Sequence, residues 1–124
     1  MCADNWFSTG ESVRILVGLG RTAAAEGDAR TAADWLEQAR LLAVDSPDVL
    51  ALAEVAESLA VVAPAPERAA ELLGAATGLR GAPAPGDPDA TRTEREVRAR
   101  LAPEAYDHAF ARGRRQRAAA VSAG

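Results

Sequence analysis

The chain has 124 residues and a net charge of −4; 31 residues are alanine, and 48% are apolar but only 4% aromatic. This length allows one domain with a modest core. A single cysteine, Cys2, and a single histidine exclude an internal disulfide and a metal cluster built from Cys and His. No apolar run is long enough to span a membrane and residues 1–20 lack a signal-peptide pattern, so we expect a cytoplasmic protein.

Charge is unevenly distributed along the chain. Residues 1–91 hold six arginines against 14 acidic residues, whereas residues 92–124 hold eight arginines against four acidic residues. The sequence therefore predicts an acidic body with a basic end.

Alanine-rich blocks separated by short Gly and Pro patches favour an all-α protein. Residues 1–9 carry no periodic pattern and are expected to be a flexible N-terminus, although Ser8 and Glu11 have the spacing of a capping box. A first helix is predicted over about residues 10–26, and its apolar face holds Val13, Leu16, Val17 and Gly20. Gly27-Asp28 then combines a helix stop with a new N-cap.

Three more helices follow at short intervals. The second presents Ala32, Trp35, Leu36, Ala39, Leu42 and Ala43 at steps of three and four. Ser46 as N-cap and Pro47 as first helical residue predict a third helix over about 47–62. It presents Leu52, Ala53, Ala56, Leu59 and Ala60, and a fourth helix over about 66–80 presents Ala69, Leu72, Leu73, Ala76 and Leu79.

The C-terminal third begins with a Pro- and Gly-rich linker, residues 81–90. A capping box at Thr91 predicts a charged helix to about residue 101, and Pro103 predicts a last helix. Residues 91–116 are therefore expected to form a capping helical hairpin. After Gly113 the chain is expected to fray, which leaves residues 117–124 as a disordered tail.

An internal repeat links two of these helices. Residues 31–43 (TAADWLEQARLLA) and 68–80 (RAAELLGAATGLR) share Ala32/Ala69, Ala33/Ala70, Leu36/Leu73, Ala39/Ala76 and Leu42/Leu79 at an offset of 37 residues. Small residues at such positions allow two helix backbones to approach closely, and an offset of this size is typical of helix-pair repeats.

The pattern resembles the tetratricopeptide repeat. In the first repeat the matching residues are Leu16, Leu19, Gly20, Ala23, Gly27, Asp28, Ala32, Leu36 and Ala39; in the second they are Ala53, Ala56, Ala60, Ala69, Leu73 and Ala76. The second repeat departs from the family at Glu57, where glycine is usual, and at Pro64-Ala65, where Gly-Asp is usual. The resemblance implies an antiparallel helix-hairpin array of about six helices in a right-handed superhelix, with two hairpins over residues 10–80.

A narrower resemblance covers residues 49–115. PERAAELLGAATGLR, a Pro-rich linker and AYDHAFARGRR together resemble the C-terminal repeat region of large bacterial ATPase-containing transcriptional regulators of the LuxR and antibiotic-regulator types. This resemblance implies a setting in bacterial transcriptional or secondary-metabolism regulation. The chain lacks the sensor ATPase and the DNA-binding region of those regulators. The resemblance therefore implies that the chain is a repeat-domain fragment or a stand-alone remnant.

One motif points to a different class of protein. Gly18-x-Gly20-x-x-Ala23 has the outline of a dinucleotide-binding turn, with Val13–Val17 as the preceding strand and Asp45 as the acid after the next one. However, a Gly-Asp stop interrupts the required helix and no further βα units follow. We therefore rank a Rossmann-type enzyme below a helical scaffold.

Other residues that could carry chemistry have simpler explanations. His108 lies beside Asp107 and Tyr106, but no third catalytic group is evident. Trp35 falls on the predicted buried stripe of the second helix and is expected in the core rather than against a cofactor. We predict no enzymatic activity, no cofactor and no metal.

A protein-binding face is predicted on the first helix of each repeat, which lines the concave side of such arrays. Arg14 and Arg21, seven residues apart, could engage a carboxylate of a partner protein or peptide. The alternative is that these arginines pair with local acids such as Glu11 or Asp28. The full predicted contact set is Arg14, Val17, Arg21, Glu54 and Ser58.

Two further surfaces are predicted. Arg112, Arg114, Arg115 and Arg117 could contact phosphates or an acidic partner, although nucleic-acid binding ranks below protein binding because the body is acidic and no recognition motif is present. Apolar residues on more than one side of the first helix predict a homodimer through that helix, or packing against another region. The preferred function is a non-enzymatic protein–protein interaction module.

Overall fold

The computed structural model describes residues 9–81 and 88–122, and all regular structure in these ranges is α-helical, which confirms the all-α prediction. The flexible N-terminus and most of the linker that the sequence predicts lie outside the described residues. The helices are α1 (Thr9–Ala25), α2 (Ala29–Ala43), α3 (Val49–Val62), α4 (Pro66–Arg80), α5 (Pro88–Arg98), α6 (Pro103–Gln116) and α7 (Ala118–Ser122).

The first hairpin, α1 and α2, turns at the predicted Gly-Asp pair. Gly27 adopts φ +82°, a left-handed conformation that strains other residues, and the Asp28 amide donates to the carbonyl of Ala23 at 2.9 Å. The Asp28 carboxylate caps α2 by accepting from the Thr31 amide at 3.1 Å, and hydrogen bonding to the side chain and the amide of Thr31 lowers the pKa of Asp28. Local chemistry thus sets both the end of α1 and the start of α2.

The second hairpin repeats the first in its helix bounds. α4 begins and ends 37 residues after α2, and α3 ends 37 residues after α1. The start of α3 differs from the prediction, because Asp48 rather than Ser46 is the N-cap and its carboxylate accepts from the Ala51 amide. Ser46 instead accepts from the Asp48 amide, so Pro47 lies before the helix. The internal repeat is therefore a repeat of helix placement as well as of residues.

The core is built from alanine, valine and leucine along the facing sides of α1 to α4. Ala32, Leu36 and Ala39 of α2 are buried as predicted. Trp35, however, is half-buried and Leu42 is exposed, so those two predicted core positions are wrong. The buried face of α2 is narrower than predicted, because it is limited to Ala32, Leu36, Ala39 and Ala43.

α4 and α6 cross with their backbones in contact. A side chain on Gly74 would overlap the Phe110 carbonyl, and one on Gly113 would overlap the Glu71 carbonyl. A Cβ on Gly78 would lie 2.5 Å from the Arg114 carbonyl oxygen. α6 thus covers the side of α4 that faces away from α3, and α4 becomes the central helix of the fold.

α5 begins at Pro88, three residues before the predicted capping box, so Thr91 lies within the helix rather than at its cap. It meets α6 where the Arg98 guanidinium stacks 4.0 Å from the centre of the Tyr106 ring. Burial raises the pKa of Tyr106 to about 12. The Tyr106 hydroxyl is buried and has no hydrogen-bond partner among the described residues.

α7 lies in the segment that the sequence predicted as a disordered tail. Ala120 and Val121 are fully buried, so that prediction is wrong for residues 118–122. The Arg68 guanidinium donates to the Ala120 carbonyl at 2.7 Å, and the Arg40 guanidinium donates to the Ser122 carbonyl at 2.9 Å. Arginines on α4 and α2 therefore bind the carbonyls of α7 and hold it against both repeats.

The Rossmann interpretation is wrong at the level of secondary structure. Val13–Val17, the proposed strand, is helical, and Gly18, Gly20 and Ala23 all lie within α1. A Cβ on Gly20 would lie 2.7 Å from Leu36 Cγ, so this glycine allows α1 and α2 to approach closely. The motif that resembles a phosphate-binding turn serves helix packing at this residue.

Candidate interaction groove

A groove of about 260 Å³ opens between α1 and α3. Its floor is formed by Leu36 of α2 and Leu73 of α4, which are both buried, and residues of α5 line one side. We call it the α1–α3 groove. It lies between the two helices on which the sequence predicted a partner-binding face, and two of the five predicted contact residues, Arg21 and Ser58, line it.

The walls of the α1–α3 groove are largely apolar. Ala24 and Ala25 at the C-terminal end of α1 line one wall, and Val61 and Val62 at the C-terminal end of α3 line the other. The Val61 side chain is 56% exposed, which makes it the most exposed large apolar residue in the described part of the chain. An exposed valine next to a leucine floor offers an apolar contact to a bound group.

A polar contact crosses the groove from α1 to α3. The Arg21 Nε donates to the Ser58 hydroxyl at 3.1 Å, and these residues are 37 positions apart, as their equivalent places in the two repeats require. Ser58 is almost completely buried, whereas Arg21 is exposed. Ser58 therefore orients the arginine but offers little surface to a partner, which corrects its predicted role as a contact residue.

The other predicted contact residues lie elsewhere. Val17 is 4% exposed because it faces the core between α1 and the helices behind it, so its prediction as a partner contact is wrong. Arg14 reaches toward two carboxylates at 3.7 Å, those of Asp48 and Glu54. The structure thus places Arg14 and Glu54 together on the surface, and such exposed pairs contribute little to stability.

Glu57, which lines the groove, belongs to a stronger ion pair. Arg80 at the end of α4 donates to both oxygens of Glu57, at 2.8 and 2.9 Å, and both side chains are less than a quarter exposed. This bidentate arrangement is geometrically specific. In the sequence, Glu57 stands out only as a departure from the repeat pattern. The ion pair could have been predicted because Glu57 is an acidic residue on an otherwise apolar helix face, and a carboxylate in such a place requires a basic partner.

The last groove residues come from α5. Arg92 and Thr93 also line the groove, and Thr93 is buried. These two residues were not predicted from the sequence, because the residues from Thr91 onward were expected to form a separate hairpin. Only the packing of α5 beside α3 and α4 brings them to the groove.

The four C-terminal arginines divide into two groups. The Arg112 Nε donates to a Glu71 carboxylate oxygen at 2.7 Å, so this arginine is held by α4. Burial alone would raise the pKa of Glu71, but hydrogen bonds from Arg112 and Arg68 outweigh that effect and lower it. Arg114, Arg115 and Arg117 instead line a second hollow at the end of α4.

Other chemical signals are weak in the described residues. His108 is exposed on α6, and the residues that the structure describes hold no group of three or more His, Cys, Asp or Glu side chains arranged to bind a metal ion. None of the described helices has the length and apolarity needed to cross a bilayer.

Comparison of the chain with protein-family models, with curated proteins and with solved structures found no match in any of the three.

Proposed function

We propose that this chain is a non-enzymatic protein-interaction module and that the α1–α3 groove binds an apolar segment of a partner protein. The observation that carries the proposal is the concave apolar surface itself, with an exposed valine at its rim and Arg21 held at the α1 wall by Ser58. A volume of about 260 Å³ suits one or two side chains of a peptide. Arg21 would pair with a carboxylate next to those side chains.

The proposal includes a tetratricopeptide-like arrangement. Support comes from the 37-residue repeat of helix bounds, from the close contact at Gly20 and from the paired small residues Ala32 and Ala69, which are both buried. The resemblance of residues 66–80 and 105–115 to bacterial regulators supports a role as part of, or derived from, a transcriptional regulator. On this proposal the module works in the bacterial cytoplasm.

Affinity capture from a bacterial lysate, followed by binding measurements with the purified partner, tests the groove. Val61→Asp places a charge on the apolar rim, and Arg21→Glu reverses the charge of the α1 wall. We expect each to weaken binding at least about tenfold, because a buried unpaired charge costs several kcal/mol. Arg30→Glu, on the exposed face of α2, is the matched charge-reversal control and should bind normally. Equal affinity for all variants would remove the groove from the proposal.

Self-association through α1 is a second part of the proposal. Ile15 and Leu19 lie one helical turn apart, and their side chains are 52% and 41% exposed. Sedimentation velocity should show a dimer for the wild type and a monomer for Ile15→Glu. A monomeric wild type across the micromolar range would contradict the dimer and leave the groove proposal unaffected.

A further inference from the structure

The second hollow of the structure lies at the C-terminal end of α4. Its volume is about 420 Å³, and it is lined by Thr77, Gly78, Gly81 and the three arginines Arg114, Arg115 and Arg117. No acidic side chain is among these residues. The surface is therefore a concavity with positive charge on a protein whose net charge is negative.

The three arginines differ from five others in the described part of the chain. Arg40, Arg68, Arg80, Arg98 and Arg112 each bind a carboxylate. Within residues 9–81 and 88–122, neither a hydrogen bond nor an ion pair holds the guanidinium groups of Arg114, Arg115 and Arg117. Three like charges around one hollow repel each other, and an anion in the hollow would relieve that repulsion.

The backbone at Arg117 supports a functional role for its side chain. Arg117 adopts φ 50° and ψ −120°, the only positive φ of a non-glycine residue in the described ranges. Glycine would adopt this conformation with less strain, and strained residues of this kind cluster at binding sites. Gly78 provides the space beside it, because a Cβ there would lie 3.1 Å from the Arg117 Cγ.

We propose that Arg114, Arg115 and Arg117 form a binding site for a compact phosphate anion of the pyrophosphate type. Guanidinium groups bind phosphate oxygens in pairs of parallel hydrogen bonds, and three of them suit a multiply charged anion. The other lining residues are a threonine and two glycines, none of which carries a large apolar side chain that would favour a bulky organic group. This site is independent of the α1–α3 groove and does not rest on its proposed function.

The competing explanation is electrostatic compensation at helix ends. Arg114 and Arg115 lie in the last turn of α6, where basic residues interact favourably with the helix dipole. Under that explanation, replacing them lowers stability but the hollow binds no anion. A direct binding measurement separates the two.

Isothermal titration with sodium pyrophosphate at low salt tests the proposal, with sodium chloride of matched ionic strength as reference. We expect saturable 1:1 binding that weakens at least about tenfold in Arg114→Ala and in Arg117→Ala, since each removes a charge-assisted hydrogen bond. Arg95→Ala, an exposed arginine on α5, is the control and should bind as the wild type does. Circular dichroism confirms that each variant remains helical.

Three results would overturn the proposal. The first is the absence of saturable heat with the wild type, and the second is equal affinity in Arg114→Ala and the wild type. The third comes from a parallel titration with a 20-base-pair duplex. If the duplex binds more tightly than pyrophosphate and all eight arginines of residues 92–124 contribute, the surface is an extended nucleic-acid contact rather than a compact site.

Discussion

The two hairpins of the repeat use equivalent positions in different ways. In the first, Gly20 has no side chain, and α1 approaches the Leu36 side chain of α2. Thirty-seven residues later the equivalent position is Glu57, which binds Arg80 through two hydrogen bonds. The small residues that the two repeats share therefore fix the spacing of the helices. The residue at position 20 or 57 determines whether that part of the groove is apolar or charged.

The outer faces of α2 and α4 differ more strongly. Gly74 and Gly78 of α4 contact the backbone of α6, whereas the equivalent residues of α2 are Glu37 and Leu41, which are exposed. Long side chains at these places prevent a second helix from crossing α2 as closely. Of the two equivalent helices, α4 is therefore central, whereas α2 lies at the edge of the described structure.

The largest effect on unfolding free energy is expected from Gly74→Ala, which disrupts the close contact between α4 and α6. The new methyl group would overlap the Phe110 carbonyl, so α6 must move. We expect a loss of about 3 kcal/mol or more in unfolding free energy, or failure to fold. Urea unfolding followed by circular dichroism measures it.

Gly18→Ala is the matched control for that substitution. Gly18 lies within α1 with nothing within 4 Å of its added Cβ, so alanine should stabilise the protein by roughly 0.5–1 kcal/mol. Equal effects of the two substitutions would contradict the account of the α4–α6 crossing.

A smaller effect is expected from removing residues 118–124, since α7 joins the outer sides of both hairpins. Burial of Val121 alone contributes about 1.5–3 kcal/mol, so truncation should lower the unfolding free energy by about 2–3 kcal/mol. Removal of residues 123–124 alone is the control. An unchanged urea midpoint after the longer truncation would support the disordered tail that the sequence predicted.

The smallest effect at neutral pH is expected from Tyr106→Phe on α6. The substitution removes a buried hydroxyl without a partner among the described residues and leaves the ring beneath Arg98. We expect a gain of about 1 kcal/mol in unfolding free energy, because an unsatisfied buried hydroxyl carries a desolvation penalty. A loss of similar size would indicate that the hydroxyl has a partner.

The same tyrosine predicts a pH dependence. Its pKa is about 12 in the folded protein and about 10 in an unfolded chain, so the folded state retains the proton over that range. Unfolding free energy should therefore fall as pH rises from 10 to 12, by up to about 1.4 kcal/mol per pH unit, and be unaffected by this group below pH 10. In Tyr106→Phe that part of the slope should disappear.

Local signals in the sequence predicted the hairpins well. Gly27-Asp28 and Pro64-Ala65-Pro66 mark turns whose chemistry depends on adjacent residues only, and the helices around them lie where the apolar periodicity placed them. The repeat offset also predicted that α1 and α3 lie together, and the hydrogen bond from Arg21 to Ser58 agrees with that.

Features that depend on contacts between distant segments of the chain were not predicted from the sequence. Gly74 and Gly113 are needed because the backbones of α4 and α6 contact each other there. No feature of the neighbouring sequence shows that these two glycines lie at the same contact. The alanine-rich α7 has no cap signal of its own and is held by Arg40 and Arg68. Val17 was assigned to the binding face because the repeat register gives the helix but not the exact rotation of each side chain.

The proposed function depends on the α1–α3 groove as the surface that binds a partner. Methyl NMR of the chain, titrated with its purified partner, tests this most directly, because valine and leucine methyl groups lie both in the groove and outside it. We predict that the signals of Val61, Val62 and Leu73 shift with the partner while those of Leu41 and Leu42 on α2 do not. Shifts confined to Leu41 and Leu42, with unchanged groove signals, would contradict it.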